Sequence, residues 1–188
     1  MLVVAVIGSP KAGGRTRVAV DALLHGAVQE GAEVGVLELA DTDPQDAVAA
    51  MGEADAVVVG SPTYRADTPA GLKGLLDVTP RGVTYEKGDP LRGTTCATVL
   101  TGAGDHHFLA VEDHHFLAVE KVRGILGGFF GAQLLSPGLY FPSAAFTDDA
   151  TALRDEQRQL AELHGRALVE LATAVRSSTW LRDLRPLI

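Results

Sequence analysis

The sequence predicts one doubly wound α/β domain built on a mostly parallel five-stranded sheet. Three observations carry that reading. Short, continuous apolar runs rich in β-branched residues recur along the chain, as in strands buried on both faces. Stretches with apolar residues near helical spacing alternate with them. The segments between carry Gly, Pro, Ser and Asp but nothing of domain-boundary length, so all 188 residues form one domain. Hydrophobic residues at 46% and charged residues at 21% are ordinary for a globular protein with a sizeable core.

The elements follow in order. Leu2–Ile7 is the first strand, ended by the loop Gly8-Ser9-Pro10-Lys11-Ala12-Gly13-Gly14. A helix over Arg15–Gln29 repeats Val18, Ala22, Leu23 and Val28 near one face. Glu33–Leu39 is the second strand. Asp43 caps, and Pro44 opens, a helix running to about Gly52. Ala56–Val59 is the third strand, closed by Gly60-Ser61-Pro62, and a helix follows from about Pro69 to Val78. Residues 79–93, with Pro80, Gly82, Gly88, Pro90 and Gly93, read as a surface loop. Thr94–Leu100 is the fourth strand, and a helix spans about His107 to Leu126. The fifth strand, Ala132–Leu139, is bent at Ser136-Pro137-Gly138. Thr147 or Asp148 caps a last helix with Leu153, Leu160, Leu163, Leu168 and Leu171 on its apolar side.

Charge and cysteine usage exclude several classes. Sixteen basic against 24 acidic residues leave a net charge of −8, unsuited to a nucleic-acid backbone or an anionic membrane. No apolar run approaches the ~20 residues that span a bilayer. No basic segment precedes Leu2–Ile7, so no signal peptide is expected. The single cysteine, Cys96, allows no internal disulfide and fits a reducing cytoplasm; its apolar strand makes it a core residue. There is no nucleophile elbow, no pair of catalytic carboxylates and no zinc spacing.

Chemistry is expected at the loops after strands one, three and four, where open α/β sheets bind ligands. The first runs from Gly8 to Thr16 straight into a helix. Its N–H groups and the helix dipole suit a phosphate, supported by the hydroxyls of Ser9 and Thr16 and the charges of Lys11, Arg15 and Arg17. The loop nearly fits the NTPase pattern, but Gly14 stands where the phosphate-gripping lysine belongs. It also lacks Gly-x-Gly-x-x-Gly spacing. A mononucleotide such as FMN remains.

Three segments together carry a family resemblance: Gly8-Ser9-Pro10-Lys11 through Arg15-Thr16-Arg17, Ala54-Asp55-Ala56-Val57-Val58-Val59-Gly60-Ser61-Pro62-Thr63-Tyr64, and Gly71-Leu72-Lys73-Gly74-Leu75-Leu76-Asp77. From residue 2 to about 135 the chain resembles the NAD(P)H-dependent FMN reductases, which include the reductases feeding alkanesulfonate monooxygenases. The resemblance implies a flavodoxin-like sheet in the order 2-1-3-4-5. It implies that Ser9, Lys11, Gly14, Arg15 and Thr16 hold the FMN phosphate. Pro62, Thr63, Tyr64 and Arg65 would line one side of the flavin ring, and Thr101, Gly102, Ala103 and Gly104 the other. Hydride transfer then needs positioning rather than a protein acid or base, so no catalytic side chain is assigned. NADPH or NADH would be the donor. A homodimer or homotetramer is implied, and a flavin-dependent monooxygenase is one possible recipient. Two alternatives stay open: a quinone or azo reductase with tightly held FMN, and a flavodoxin-type electron carrier.

Residues 105–112 read Asp-His-His-Phe-Leu-Ala-Val-Glu, and residues 113–120 repeat them without change. The duplication reads as an eight-residue insertion where the fourth helix begins. It concentrates four of the six histidines, His106, His107, His114 and His115. His107 and His114 lie ~10 Å apart on a helix, too far to share one ion, so no metal site is expected. His107, beside the third loop, is a candidate contact for flavin or nicotinamide.

Overall fold

A computed structural model describes residues 1–65, 67–81, 88–104 and 114–184. Six strands form one parallel sheet: β1 (Leu2–Ile7), β2 (Glu33–Glu38), β3 (Ala56–Pro62), β4 (Thr95–Thr101), β5 (Gln133–Leu134) and β6 (Leu139–Phe141). The order is β2-β1-β3-β4-β5, with β6 also pairing with β4. The fifth sheet position is thus filled by two short strands in line. The expected single strand over Ala132–Leu139 is broken rather than bent. A cis Ser136-Pro137 bond lies in the gap. Arg123 fastens the gap by donating to the Leu135 carbonyl at 2.7 Å and to Ser136 Oγ.

Along β1, Val3, Ala5 and Ile7 face one side and Val4 and Val6 the other, the period-two alternation of a pleated strand. Helices α1 (Arg15–Gln29) and α5 (Asp155–Ser177) cover the first face. Helices α2 (Pro44–Glu53), α3 (Ala70–Val78) and α4 (His114–Arg123) cover the second, with Met51, Leu72, Leu75 and Val122 buried there. Asp43 caps α2 as expected, its Oδ1 accepting from Gln45 N–H at 2.8 Å. Cys96 is buried, and burial pushes its thiol up to about 12. The folded protein should therefore resist a thiol reagent at pH 8, where a free thiol reacts, and react once denatured. Rapid labelling of the native chain would contradict this placement.

The helix facing between α1 and α5 differs from the expected one. Leu160 and Leu163 are exposed, and so is Val28; the buried surface of α5 is Ala161, Glu162, His164, Gly165, Leu168, Ala172 and Val175. The contact is made through glycines. A Cβ added to Gly165 would lie 1.9 Å from the Leu23 carbonyl oxygen, and one added to Gly26 would lie 1.9 Å from that of Glu162. Where backbones approach this closely, large side chains are displaced to the flanks. The expected cap is also corrected. Thr147 serves a turn instead, its N–H donating to the Ala152 carbonyl at 2.9 Å and its Oγ1 to Asp149, while Asp148 accepts from the Arg154 guanidinium at 2.9 Å and caps nothing. Leu153 pairs with Phe146 before α5 begins at Asp155.

Two further features lie beyond the sequence reading. The backbone after α4 winds as a π-helix over Gly124–Phe129. A short helix α6 (Thr179–Asp183) closes the described chain, capped by Ser178. Within the expected surface loop Leu91 is fully buried, and residues 82–87 lie outside the described residues. Among the described residues no helix is long and apolar enough to cross a membrane.

Candidate functional site

Strand order reverses direction between β1 and β3. The chain leaves β1 toward α1 on one face and leaves β3 toward α3 on the other, which opens a crevice at their carboxyl ends. The loops after β1, β3 and β4 line a cleft of about 360 Å³ there. The structure thus brings Ser9, Lys11, Gly14, Arg15, Thr16, Pro62, Thr63, Tyr64, Thr101, Gly102 and Ala103 together around one space. Gly104 follows directly in the third loop. Arg65 sits at the tip of the second loop with a positive φ of 51°, outside the cleft lining. His107 lies outside the described residues.

The first loop has the chemistry of an anion cradle. Gly14 occupies the N-cap of α1 and offers no side chain to cap it, and the first turn holds no acidic residue. The N–H groups of Arg15, Thr16 and Arg17 therefore have no intrahelical acceptor and no cap. A Cβ at Gly13 or Gly14 would meet nothing within 4 Å, so open space borders this backbone. An anion can approach the amides directly, aided by the helix dipole.

The loop's side chains are arranged differently from the sequence reading. Ser9 Oγ donates to the Lys11 carbonyl at 2.7 Å and so shapes the turn. Thr16 Oγ1 shares a hydrogen bond of 2.7 Å with Thr101 Oγ1 in a buried pair, which leaves the Thr16 amide to face a ligand. Arg15 donates to Ser143 Oγ and lies 6.0 Å from the Phe146 ring centroid. Arg17 is held by Asp21 at 2.8 Å and Glu38 at 3.0 Å, and these partners, Asp21 foremost, raise its pKa. Its charge is thus offset within the protein. Lys11 is the loop's exposed cation with no acceptor among the described residues.

The other two walls are tied to each other. Thr63 donates to the Thr101 carbonyl through its N–H at 2.7 Å and its hydroxyl at 3.1 Å. Tyr64 and Asp67 exchange backbone hydrogen bonds of 2.8 and 3.1 Å, and Tyr64 stands 54% exposed at the cleft mouth. Lys121 of α4 holds Asp67, and that bond, first among several, draws the carboxyl below its usual range. Gly102 is glycine for an internal reason: a Cβ there would lie 1.8 Å from Tyr140 Oη and 2.7 Å from Thr63 Oγ1. Its small size admits Tyr140 behind the loop.

Three contributors escaped the sequence reading. Glu38, at the carboxyl end of β2, accepts from Gly13 N–H at 2.9 Å. Ser143, just past β6, joins Arg15 to the Gly102 carbonyl, to which its hydroxyl donates at 3.3 Å. Tyr140 backs the third loop. The signal for Glu38 was its position, since strand two ends beside the first loop in this sheet order. Ser143 and Tyr140 depend on the broken fifth strand and left no motif.

Fold and cleft together define a flavodoxin-like protein. The chain belongs to the NADPH-dependent FMN reductase family, whose model matches residues 1–127, and it is accordingly a flavin-dependent oxidoreductase. Among solved structures it is similar to an NADH:FMN oxidoreductase in apo form, with 21% identity and a TM-score of 0.71 over 97% of this chain and 94% of that one. RosB with bound 8-demethyl-8-formylriboflavin-5'-phosphate superposes with a TM-score of 0.77 at 14% identity, covering 97% and 83%. An archaeal flavodoxin gives 0.63 at 17% identity, covering 92% and 99%. At these identities the likeness is one of fold. No curated protein sequence matches the chain significantly.

Proposed function

We propose that this chain is an NAD(P)H-dependent FMN reductase. The observation that carries the reading is the uncapped start of α1 facing open space beside two further loops of the same cleft. The amides of Arg15–Arg17, with Lys11, bind the FMN phosphate; Ser9 and Thr16 hold the loop in the shape that presents those amides. Arg15 lines the cleft and anchors the loop to Ser143. Pro62, Thr63 and Tyr64 border one side of the flavin ring, with Arg65 beyond them at the loop tip, and Thr101, Gly102, Ala103 and Gly104 border the other. Bound FMN supplies a two-electron acceptor for the nicotinamide donor. The protein's part is to orient both rings and exclude water, which needs no acid or base side chain.

The reading includes a homodimer or homotetramer in the cytoplasm, with reduced flavin passed to a flavin-dependent monooxygenase. Exposed apolar side chains such as Phe129, Val78 and Trp180 support self-association. The functional test is oxidation of NADPH and NADH with and without added FMN. A nicotinamide oxidation rate that rises with added FMN is expected. No oxidation of either donor at any FMN concentration would overturn the reading.

A further inference from the structure

Glu38 is an acidic group in direct contact with the proposed phosphate cradle, and its position is built rather than incidental. It ends β2, whose register against β1 sets it opposite Ile7, one residue before the first loop. One carboxylate oxygen accepts from Gly13 N–H at 2.9 Å and the other from Arg17 at 3.0 Å. The side chain is only 12% exposed, so water screens it weakly. It therefore draws on two of the groups that would otherwise serve an anion at the start of α1: a loop amide and an arginine.

We propose that Glu38 is a specificity-determining residue that weakens the hold on the flavin phosphate, so that FMN binds and leaves readily. The inference rests on the proposed function. A fixed carboxylate beside a phosphate opposes it directly, and it also offsets the Arg17 charge, which Asp21 already shares. The effect must act on the phosphate and not on the flavin ring, whose walls are formed by the second and third loops.

The test compares FMN and riboflavin binding by fluorescence quenching in the wild type, Glu38→Gln, Arg17→Gln and the double variant. A glutamine amide oxygen still accepts from Gly13 N–H, so the loop keeps its brace while losing the charge. Glu38→Gln should bind FMN about tenfold tighter with riboflavin unchanged. Arg17→Gln, which leaves the carboxylate unopposed, should weaken FMN about tenfold, and the double variant should return close to the wild type. Unchanged FMN binding in Glu38→Gln, or weaker FMN binding with riboflavin binding intact, would overturn the inference. If that variant loses riboflavin as well, Arg17→Gln decides: unaltered FMN affinity there overturns it. FMN binding that ignores position 38 leaves the reductase reading standing, whereas a wild type that binds neither flavin defeats both.

Discussion

Replacing Gly14 with Asp should abolish useful FMN binding while leaving the protein slightly more stable. Gly14 already has extended backbone angles, φ −85° and ψ −173°, that any residue adopts at an N-cap, and its Cβ would project into open space. An aspartate there caps the amides of α1 and complements the helix dipole, adding about 0.5 kcal/mol, or 1–2 °C in Tm. The same carboxylate takes up the donors proposed for the phosphate and repels it. Losing charge-assisted bonds and gaining a like charge should weaken FMN by about a hundredfold or more. Riboflavin, without a phosphate, should lose little. Thermal melts and titrations of both flavins check this. Equal losses for both flavins, or undiminished FMN binding, would remove the phosphate from this loop.

Replacing Gly165 with Ala should strongly destabilise the fold. The new Cβ would sit 1.9 Å from the Leu23 carbonyl oxygen and 2.7 Å from Ala27 N, both rigid backbone atoms of α1. The helices must separate, opening contacts among Leu23, Ala27, Ala161 and Leu168 in the core. Overpacking of this kind costs about 3 kcal/mol, roughly 6–12 °C in a domain of this size. Gly74→Ala is the contrast. Gly74 lies within α3, and its Cβ would meet nothing within 4 Å, so helix propensity alone acts and should stabilise by about 0.5–1 kcal/mol. A Gly165→Ala variant melting with the wild type would show that α1 and α5 do not cross at these glycines.

That helix pair also shows where the sequence was legible and where it was not. β1, α1, β2 and α2 lie within a residue or so of their expected places because each is announced locally, by a buried apolar run, a Gly-rich loop or the Asp43-Pro44 cap. The sheet order followed from the family resemblance and is observed. The facing of α5 was misjudged because its leucines dominate the hydrophobic pattern, while packing is decided by Gly165 and Gly26, which look neutral in sequence. Its start was misplaced because Thr147 and Asp148 suit turns as well as caps, and the chain uses Thr147 in a turn before α5 begins at Asp155.

The cleft was legible as three loops, since glycines and hydroxyls cluster after three strands. The use of each side chain was not. Thr16 and Thr101 stand 85 positions apart, yet their hydroxyls pair. Arg15 and Ser143 stand 128 apart and pair across the cleft's edge. Only tertiary structure brings such partners together. Residues 105–113 lie outside the described residues, while Ala118 and Val119 of the duplicated octad's second copy are buried against Leu100.

The most direct measurement of the central claim is an amide-resolved NMR titration of the 188-residue protein with FMN and, separately, with riboflavin. The start of α1 is assigned to the phosphate and the second and third loops to the ring. FMN should therefore shift the amides of Gly13 to Arg17 together with those of Thr63, Tyr64 and Gly102. Riboflavin should shift the last three and leave Gly13 to Arg17 almost unmoved. Identical shifts at Gly13 to Arg17 with both flavins, or none with either, would contradict the account.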